Sequence, residues 1–117
     1  MNGCIFCKIV TGEIPATKVF EDEHALAFRD LDPKAPTHVL VIPRKHITGM
    51  TSIEPEDEAA VGHLFSVATA VAKSEGIVRS GFRAIVNSGP DAGQSVYHLH
   101  MHVIGGKAMG WPPFPGD

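Results

Sequence analysis

The stretch "SVYHLHMHVIGG", Ser95 to Gly106, constrains this chain more than any other. His98, His100 and His102 stand at every second position, separated by Leu99 and Met101 and followed by Val103. Side chains alternate between faces along a strand. At roughly 3.3 Å per residue, the three imidazoles would share one face at about 6–7 Å intervals. A helix would turn His100 away from its neighbours. The pattern therefore predicts a strand over 96–104, with imidazoles in front and Tyr97, Leu99, Met101 and Val103 behind. An apolar back of this kind needs an element to cover it.

The cover is legible upstream. Pro55 suits a first helical position, with Glu56, Asp57 and Glu58 crowding the first turn, where the helix dipole favours acids. Val61, Leu64, Phe65, Ala68, Val71 and Ala72 then recur at helical spacing, and Gly76 is a natural stop. A shorter helix is expected over 4–11, with Ile5 and Ile9 on one side and Gly12 and Pro15 ending it. Strands are expected over 17–22, 24–30, 38–43 and 82–89, with a turn at Asp22–Glu23, a proline-stiffened loop before His38 and the glycine-bearing loop "PDAGQ" before the histidines. Residues 110–117 are expected to form an irregular tail, because prolines remove donors and block helix. Two hairpin-like strand pairs and one long helix, without repeated βαβ alternation, predict an α+β class with a five-stranded, mostly antiparallel sheet. The 117 residues suit one domain, and 44% apolar content is enough for a core.

Charge narrows the function. A net charge of −3 disfavours broad nucleic-acid binding, which requires many phosphates to be neutralised. "VLVI" (Val39 to Ile42) is too short to span a bilayer, and Lys8 interrupts the apolar N-terminal stretch, so neither a membrane span nor a secretory signal is expected. A cytoplasmic, reducing location follows as an expectation. The imidazole row then has two chemical readings, a metal site or a nucleophilic site, since neutral imidazole offers one basic nitrogen near pH 7. The preceding "NSGPDAGQS" offers Asn87, Gly93, Gln94 and Ser95 as neutral or backbone donors, the makings of an anion-binding concavity. Taken singly, each of these is also a common turn residue.

"HLHMHVI" resembles the His-φ-His-φ-His-φ-φ signature (φ apolar) of the histidine-triad family of nucleotide hydrolases and transferases. The resemblance extends over "CIFCKIVTGEIPATKVFEDEHALAFRDLDPKAPTHVLVIPRKHI" and "NSGPDAGQSVYHLHMHVIGGKAMGWPP", which are similar to the nucleotide-binding, purine nucleoside phosphoramidase branch. It implies a homodimer with a continuous ten-stranded sheet. It also implies hydrolysis of the P–N bond of purine nucleoside phosphoramidates and related adenylates, releasing AMP- or GMP-type products without a catalytic cofactor. His100 would be the nucleophile, His102 and Ser95 would hold the phosphate, and His98 and His38 would support the triad. Asp30 would hold the ribose, with Asn87, Gly93 and Gln94 beside it. Phe6, Ile9, Phe28 and Leu31 would line the purine pocket, and Trp111 would approach the partner subunit's site. Rival readings are a dinucleoside polyphosphate hydrolase, a nucleotide-binding regulatory protein, and a metal protein in which the triad itself is the ligand set.

Cys4 and Cys7 form one Cys-x-x-Cys, whereas a closed structural zinc site takes four ligands. His46 and His98 occupy the positions used by zinc-bearing relatives and would complete a structural Zn2+ site. The other readings are two small buried hydrophobes or a redox pair. His24 and His63 are expected at the surface.

Overall fold

A computed structural model describes residues 3–114; the end of the expected tail, 115–117, lies outside them. The chain runs α1 (Ile5–Thr11), β1 (Lys18–Glu21), β2 (Ala25–Arg29), β3 (Thr37–Pro43), α2 (Glu58–Glu75), β4 (Phe82–Ile85) and β5 (Met101–Gly105). The strands form one sheet in the order β1-β2-β3-β5-β4, and every neighbouring pair is antiparallel. The α+β class, the five strands and the long and short helices agree with the sequence.

Local chemistry explains the elements. Cys4 caps α1, its sulfur accepting the Cys7 N–H, and Gly12 ends the helix at φ 84°, a left-handed conformation that glycine adopts without strain. Asp22 Oδ1 accepts the N–H groups of His24 and Ala25 and folds the β1–β2 turn. Gly76, at φ 73°, closes α2. The first turn of the long helix is tighter than expected: Pro55–Asp57 is a 3-10 turn, and the α-helix proper begins at Glu58. Asp57 is buried there because its two oxygens serve the Glu54 N–H (3.0 Å) and Lys45 Nζ (2.6 Å).

The central strand β3 is buried along its whole length and separates two cores. On one face Ala25, Ala27, Val39, Val41, Met101 and Val103 pack against Leu64, Val67, Ala68, Val71 and Ala72 of α2. On the other, Leu26, Phe28, Leu40 and Ile42 pack against Phe6 and Ile9 of α1. His102 pairs with Leu40 across the ladder and so stands on the α1 face.

Three expectations are corrected. Phe65 is 59% exposed, and Val67 takes its place in the stripe. Phe65 sits about 100° around the helix from Leu64, off the edge of the buried arc. The strand expected over 82–89 ends at Ile85, and the one expected over 96–104 begins at Met101. Between them, Gly89 and Gly93 both take φ 87°, and the buried Gln94 amide replaces ladder partners by bonding Gly89 N, Thr48 O and Val96 O. The chain therefore bends off the sheet, leaving Tyr97 half exposed instead of behind the histidines, while Leu99 N–H bonds Ile47 O at 2.6 Å.

Packing of this kind separates Leu64 from Phe65. Leu64→Ala should lower the urea unfolding free energy by about 2–5 kcal/mol through cavity formation, and Phe65→Ala by less than about 1 kcal/mol. Equal losses would contradict the assignment of the buried stripe.

Candidate active site

His98 and His100 precede the ladder and only His102 lies within it, yet all three rings remain on the α1 side. Phe6 contacts the rings of His98 and His100 edge-on at centroid distances of 5.9 and 5.2 Å, and His100 meets His102 at 5.0 Å. The bend gives each ring a different partner, and each partner sets a tautomer.

His100 Nδ1 lies 2.7 Å from the carbonyl of His98. A carbonyl only accepts, so Nδ1 carries the proton and Nε2 keeps a free lone pair. His98 Nε2 lies 3.0 Å from the Pro43 carbonyl, which places its proton on Nε2 and frees Nδ1. The Lys34 N–H donates to His38 Nδ1 at 3.0 Å, so the His38 proton sits on Nε2, where it is donated to His102 Nδ1 at 2.9 Å. His102 is left with Nε2–H as an outward donor. Burial, followed by the neighbouring His100 and His38, pushes its pKa down to about 4, so it donates as a neutral ring at pH 7. Burial likewise lowers His38 and His98.

A cleft of about 240 Å³ opens beside this row. Of the residues picked out by the sequence, Phe6, Ile9, Phe28, Asp30, Leu31, Ser95 and His102 line it; Leu31 stands almost fully exposed at the lip. Leu40, Ile14 and Val96 also line it and were not anticipated. Leu40 was detectable in principle as the alternate partner of His38 on one strand face. Asp30 Oδ1 accepts the Asp32 N–H at 2.8 Å, and its Oδ2 lies 3.4 Å from His38 Nε2. Larger, more open hollows of about 450 and 500 Å³ lie elsewhere, around Arg83 and Lys107 and around Cys7 and Lys8. Neither is lined by a triad histidine, whereas His102 lines the cleft and His100 meets the His102 ring without lining it.

Other expected contacts are not assembled at this cleft. Gln94 spends its amide on the loop backbone and lies outside the cleft lining. Asn87 and Gly93 are outside the cleft lining. Trp111 is exposed and stacks under the Arg83 guanidinium at 5.6 Å.

The cysteines meet the histidine row from behind. The donor atoms of Cys4, Cys7, His46 and His98 all lie within 4.8 Å of one another. A sulfur and a nitrogen sharing one tetrahedral zinc stand about 3.6 Å apart, given Zn–S near 2.3 Å and Zn–N near 2.0–2.1 Å. Here Cys4 Sγ and Cys7 Sγ lie 3.4 and 3.6 Å from His98 Nδ1, and Cys7 Sγ lies 3.2 Å from His46 Nδ1. His98 presents the unprotonated nitrogen, its other nitrogen held by a carbonyl, as metal-bound imidazoles require. Burial and the neighbouring Cys4 push the Cys7 thiol up, so a cation is what would hold two thiolates here. The cluster can therefore hold zinc. Asp30, His38 and His102 also converge, but the Lys34 N–H keeps the His38 proton on Nε2, the nitrogen that would have to ligate. That trio is a proton-ordered chain, which counts against Asp30, His38 and His102 holding a metal together.

The profile of the HIT domain matches residues 11–109. A maize protein named 14 kDa zinc-binding protein is 50% identical over 111 residues, covering 93% of this chain and 86% of its own. An Arabidopsis thaliana protein named Adenylylsulfatase HINT1 is also 50% identical over 111 residues, covering 93% of this chain and 75% of its own. The crystal structure of a HIT family hydrolase from Legionella pneumophila superposes with a TM-score of 0.92 at 46% identity, over 96% of this chain and all of that one.

The depressed His102 has a consequence for stability. An unfolded histidine takes a proton below about pH 6.5, whereas the folded His102 resists until about 4. Between these values the unfolded chain binds more protons, so stability is complete above 6.5 and falls as the pH drops. The thermal midpoint should decline from pH 7 to pH 4.5, and His102→Gln should flatten that decline. An unchanged slope in the variant would refute the assignment.

Proposed function

Because the chain belongs to the HIT domain family, we propose that it hydrolyses the P–N bond of purine nucleoside 5'-phosphoramidates through a nucleotidyl intermediate on His100. The observation that carries this reading is the 2.7 Å bond from His100 Nδ1 to the His98 carbonyl, which in the neutral ring puts the proton on Nδ1 and the lone pair on Nε2, with the ring against His102 of the cleft wall. A nucleophile of this kind divides one difficult displacement into two easier ones.

The Nε2 lone pair attacks the α-phosphorus, the P–N bond breaks, and the amine leaves with its electron pair and takes up a proton. Water then attacks the same phosphorus, the bond to Nε2 breaks, and the nucleoside monophosphate is released. The Nε2–H of His102 donates to a phosphate oxygen where charge accumulates, and Ser95 adds a second donor from the cleft wall. His38 acts one step removed, as the residue that orders the His102 proton. Asp30 faces the ribose hydroxyls, with Phe6, Ile9 and Phe28 against the base and Leu31 over its edge. Asn87 and Gly93 are proposed to reach the ribose and phosphate from the preceding loop.

The cleft is small beside ordinary ligand pockets of about 300–1,000 Å³, which supports a single nucleoside over a dinucleotide. The name of the Arabidopsis relative brings in a second substrate, adenylyl sulfate, in which sulfate would leave from the same α-phosphorus. Cys4, Cys7, His46 and His98 would hold zinc in a structural role, tying α1 to the triad segment.

We also propose a homodimer through a sheet edge. The sheet ends in two edge strands, β1 and β4, and a ten-stranded sheet needs one such edge to pair. Trp111 stands exposed beside β4, held by Arg83, where a partner's site can meet it.

Two measurements test these readings. Wild-type protein mixed with adenosine 5'-phosphoramidate and quenched in alkali should carry a nucleotidyl adduct that maps to His100. His100→Ala should lose the adduct and about 10⁴-fold or more in turnover, the scale seen on removing a nucleophile. An unmodified His100 with normal AMP release would defeat the mechanism, and parallel assays with adenylyl sulfate and diadenosine polyphosphate rank the substrates. Light scattering should return twice the chain mass; a single chain mass would refute the dimer.

A further inference from the structure

His98 makes three bonds in three directions. Its Nδ1 faces the two cysteine sulfurs, its Nε2 meets the Pro43 carbonyl, and its own carbonyl accepts the proton of His100 Nδ1. The residue that anchors the cysteine cluster therefore also sets the tautomer of His100, whose ring meets His102 of the cleft wall. Whatever alters the cluster reaches His100 through one backbone carbonyl.

The cluster is open to one side. Cys4 and Cys7 are only partly buried, and a hollow of about 500 Å³ is lined by Cys7, His46, Lys8, Arg44 and Glu13. Arg44 is already bonded to Glu21 and to the Asp22 carbonyl, so its side chain is held in place along the hollow. The Cys7 N–H bonds Cys4 Sγ at 3.4 Å, and the two sulfurs lie within 4.8 Å of each other. A side-chain rotation brings them to the roughly 2 Å of a disulfide.

We propose that Cys4 and Cys7 form a thiol–disulfide switch that discharges zinc from the cluster and loosens the orientation of His100. The oxidant is a small anionic disulfide, admitted by the hollow and attracted by Lys8. The Cys7 thiolate attacks one sulfur of the oxidant, whose S–S bond breaks and releases one thiolate. The Cys4 thiolate then attacks Cys7 Sγ and expels the second thiolate, closing Cys4–Cys7. Two electrons pass from the cysteine pair to the oxidant, and both released thiolates take protons from water. The sulfur pairs that held zinc are now spent on each other, and two imidazoles alone do not make a closed site. His98 keeps its bond to Pro43 but loses the metal that held its other nitrogen. The carbonyl facing His100 then moves more freely, and the His100 proton no longer stays on Nδ1. The kinetic part of this proposal rests on the phosphoramidase reading; the zinc, mass and tautomer parts do not.

The test uses the full chain, reduced and loaded with zinc, and oxidised glutathione as the probe. One zinc per chain should be released to a coloured chelator as the intact mass falls by two hydrogens relative to the reduced metal-free chain. Nitrogen NMR of the histidine rings should show His100 passing from a single Nδ1–H tautomer to a mixture. The kcat for adenosine 5'-phosphoramidate should fall about 10-fold, the scale of losing a partner that orients a reacting group, with KM little changed. Dithiothreitol and zinc should restore all four signals. Cys4→Ser should stop at a mixed disulfide on Cys7. Reduced protein that never takes up zinc, two thiols that remain titratable after the probe, or zinc release with the His100 tautomer unaltered would each overturn the switch. If the reduced enzyme turns over no phosphoramidate, the activity assignment fails while the zinc and NMR signals still decide the switch.

Discussion

The short bond between His100 Nδ1 and the carbonyl of His98 is the constraint around which this structure is arranged. A neutral imidazole has one proton for two nitrogens, so fixing one end determines the other. A backbone carbonyl two residues away does this without a charged partner, and a carbonyl cannot itself be protonated near neutral pH. The cost is that the chain must bend at that point instead of running on as a strand. Gln94 maintains the bend by standing in for ladder partners on three sides.

The two faces of the sheet divide the work. The α2 face is a purely apolar core in which Leu64, Val67 and Val71 meet Val39, Val41 and Met101. The α1 face holds a thinner apolar layer, and its histidines are satisfied by carbonyls, sulfurs and each other. Burying several imidazoles together is costly if they charge, and burial accordingly lowers His38, His98 and His102. The site holds donors and lone pairs in a set order with little net charge, which is suited to an anionic phosphate that brings its own charge.

Two clusters of potential metal ligands sit within one small fold, and hydrogen bonding distinguishes them. At Cys4, Cys7, His46 and His98 the histidine with a fixed tautomer turns its lone pair inward. At Asp30, His38 and His102 the Lys34 N–H turns a proton inward instead. Histidine thus belongs to a set that can hold a cation in one place and to a chain of donors in the other. Histidine content alone cannot separate these cases, because the partners that place the ring protons are main-chain groups.

Alternation of His98, His100 and His102 with Leu99, Met101 and Val103 was enough to identify an apolar back and an imidazole front, and the spacing from Val61 to Ala72 was enough to identify the covering helix. Cys4 and Cys7, together with His46 and His98, were also legible as a possible zinc set, through family resemblance. Periodicity carried these features because it reports which way side chains point along one element. It could not report that β5 starts only at Met101, that Phe65 falls outside the stripe, or that Gln94 is a loop brace. Nor did any residue type signal that the Lys34 N–H, the Pro43 carbonyl and the His98 carbonyl assign the protons of three different rings. The sequence by itself determined the fold class and the chemical groups available. Only the tertiary structure decided which nitrogen of His38, His98, His100 and His102 carries the proton, because that depends on where the folded backbone aims the Lys34 N–H and the His98 carbonyl beside their own histidines and brings the Pro43 carbonyl from across the chain.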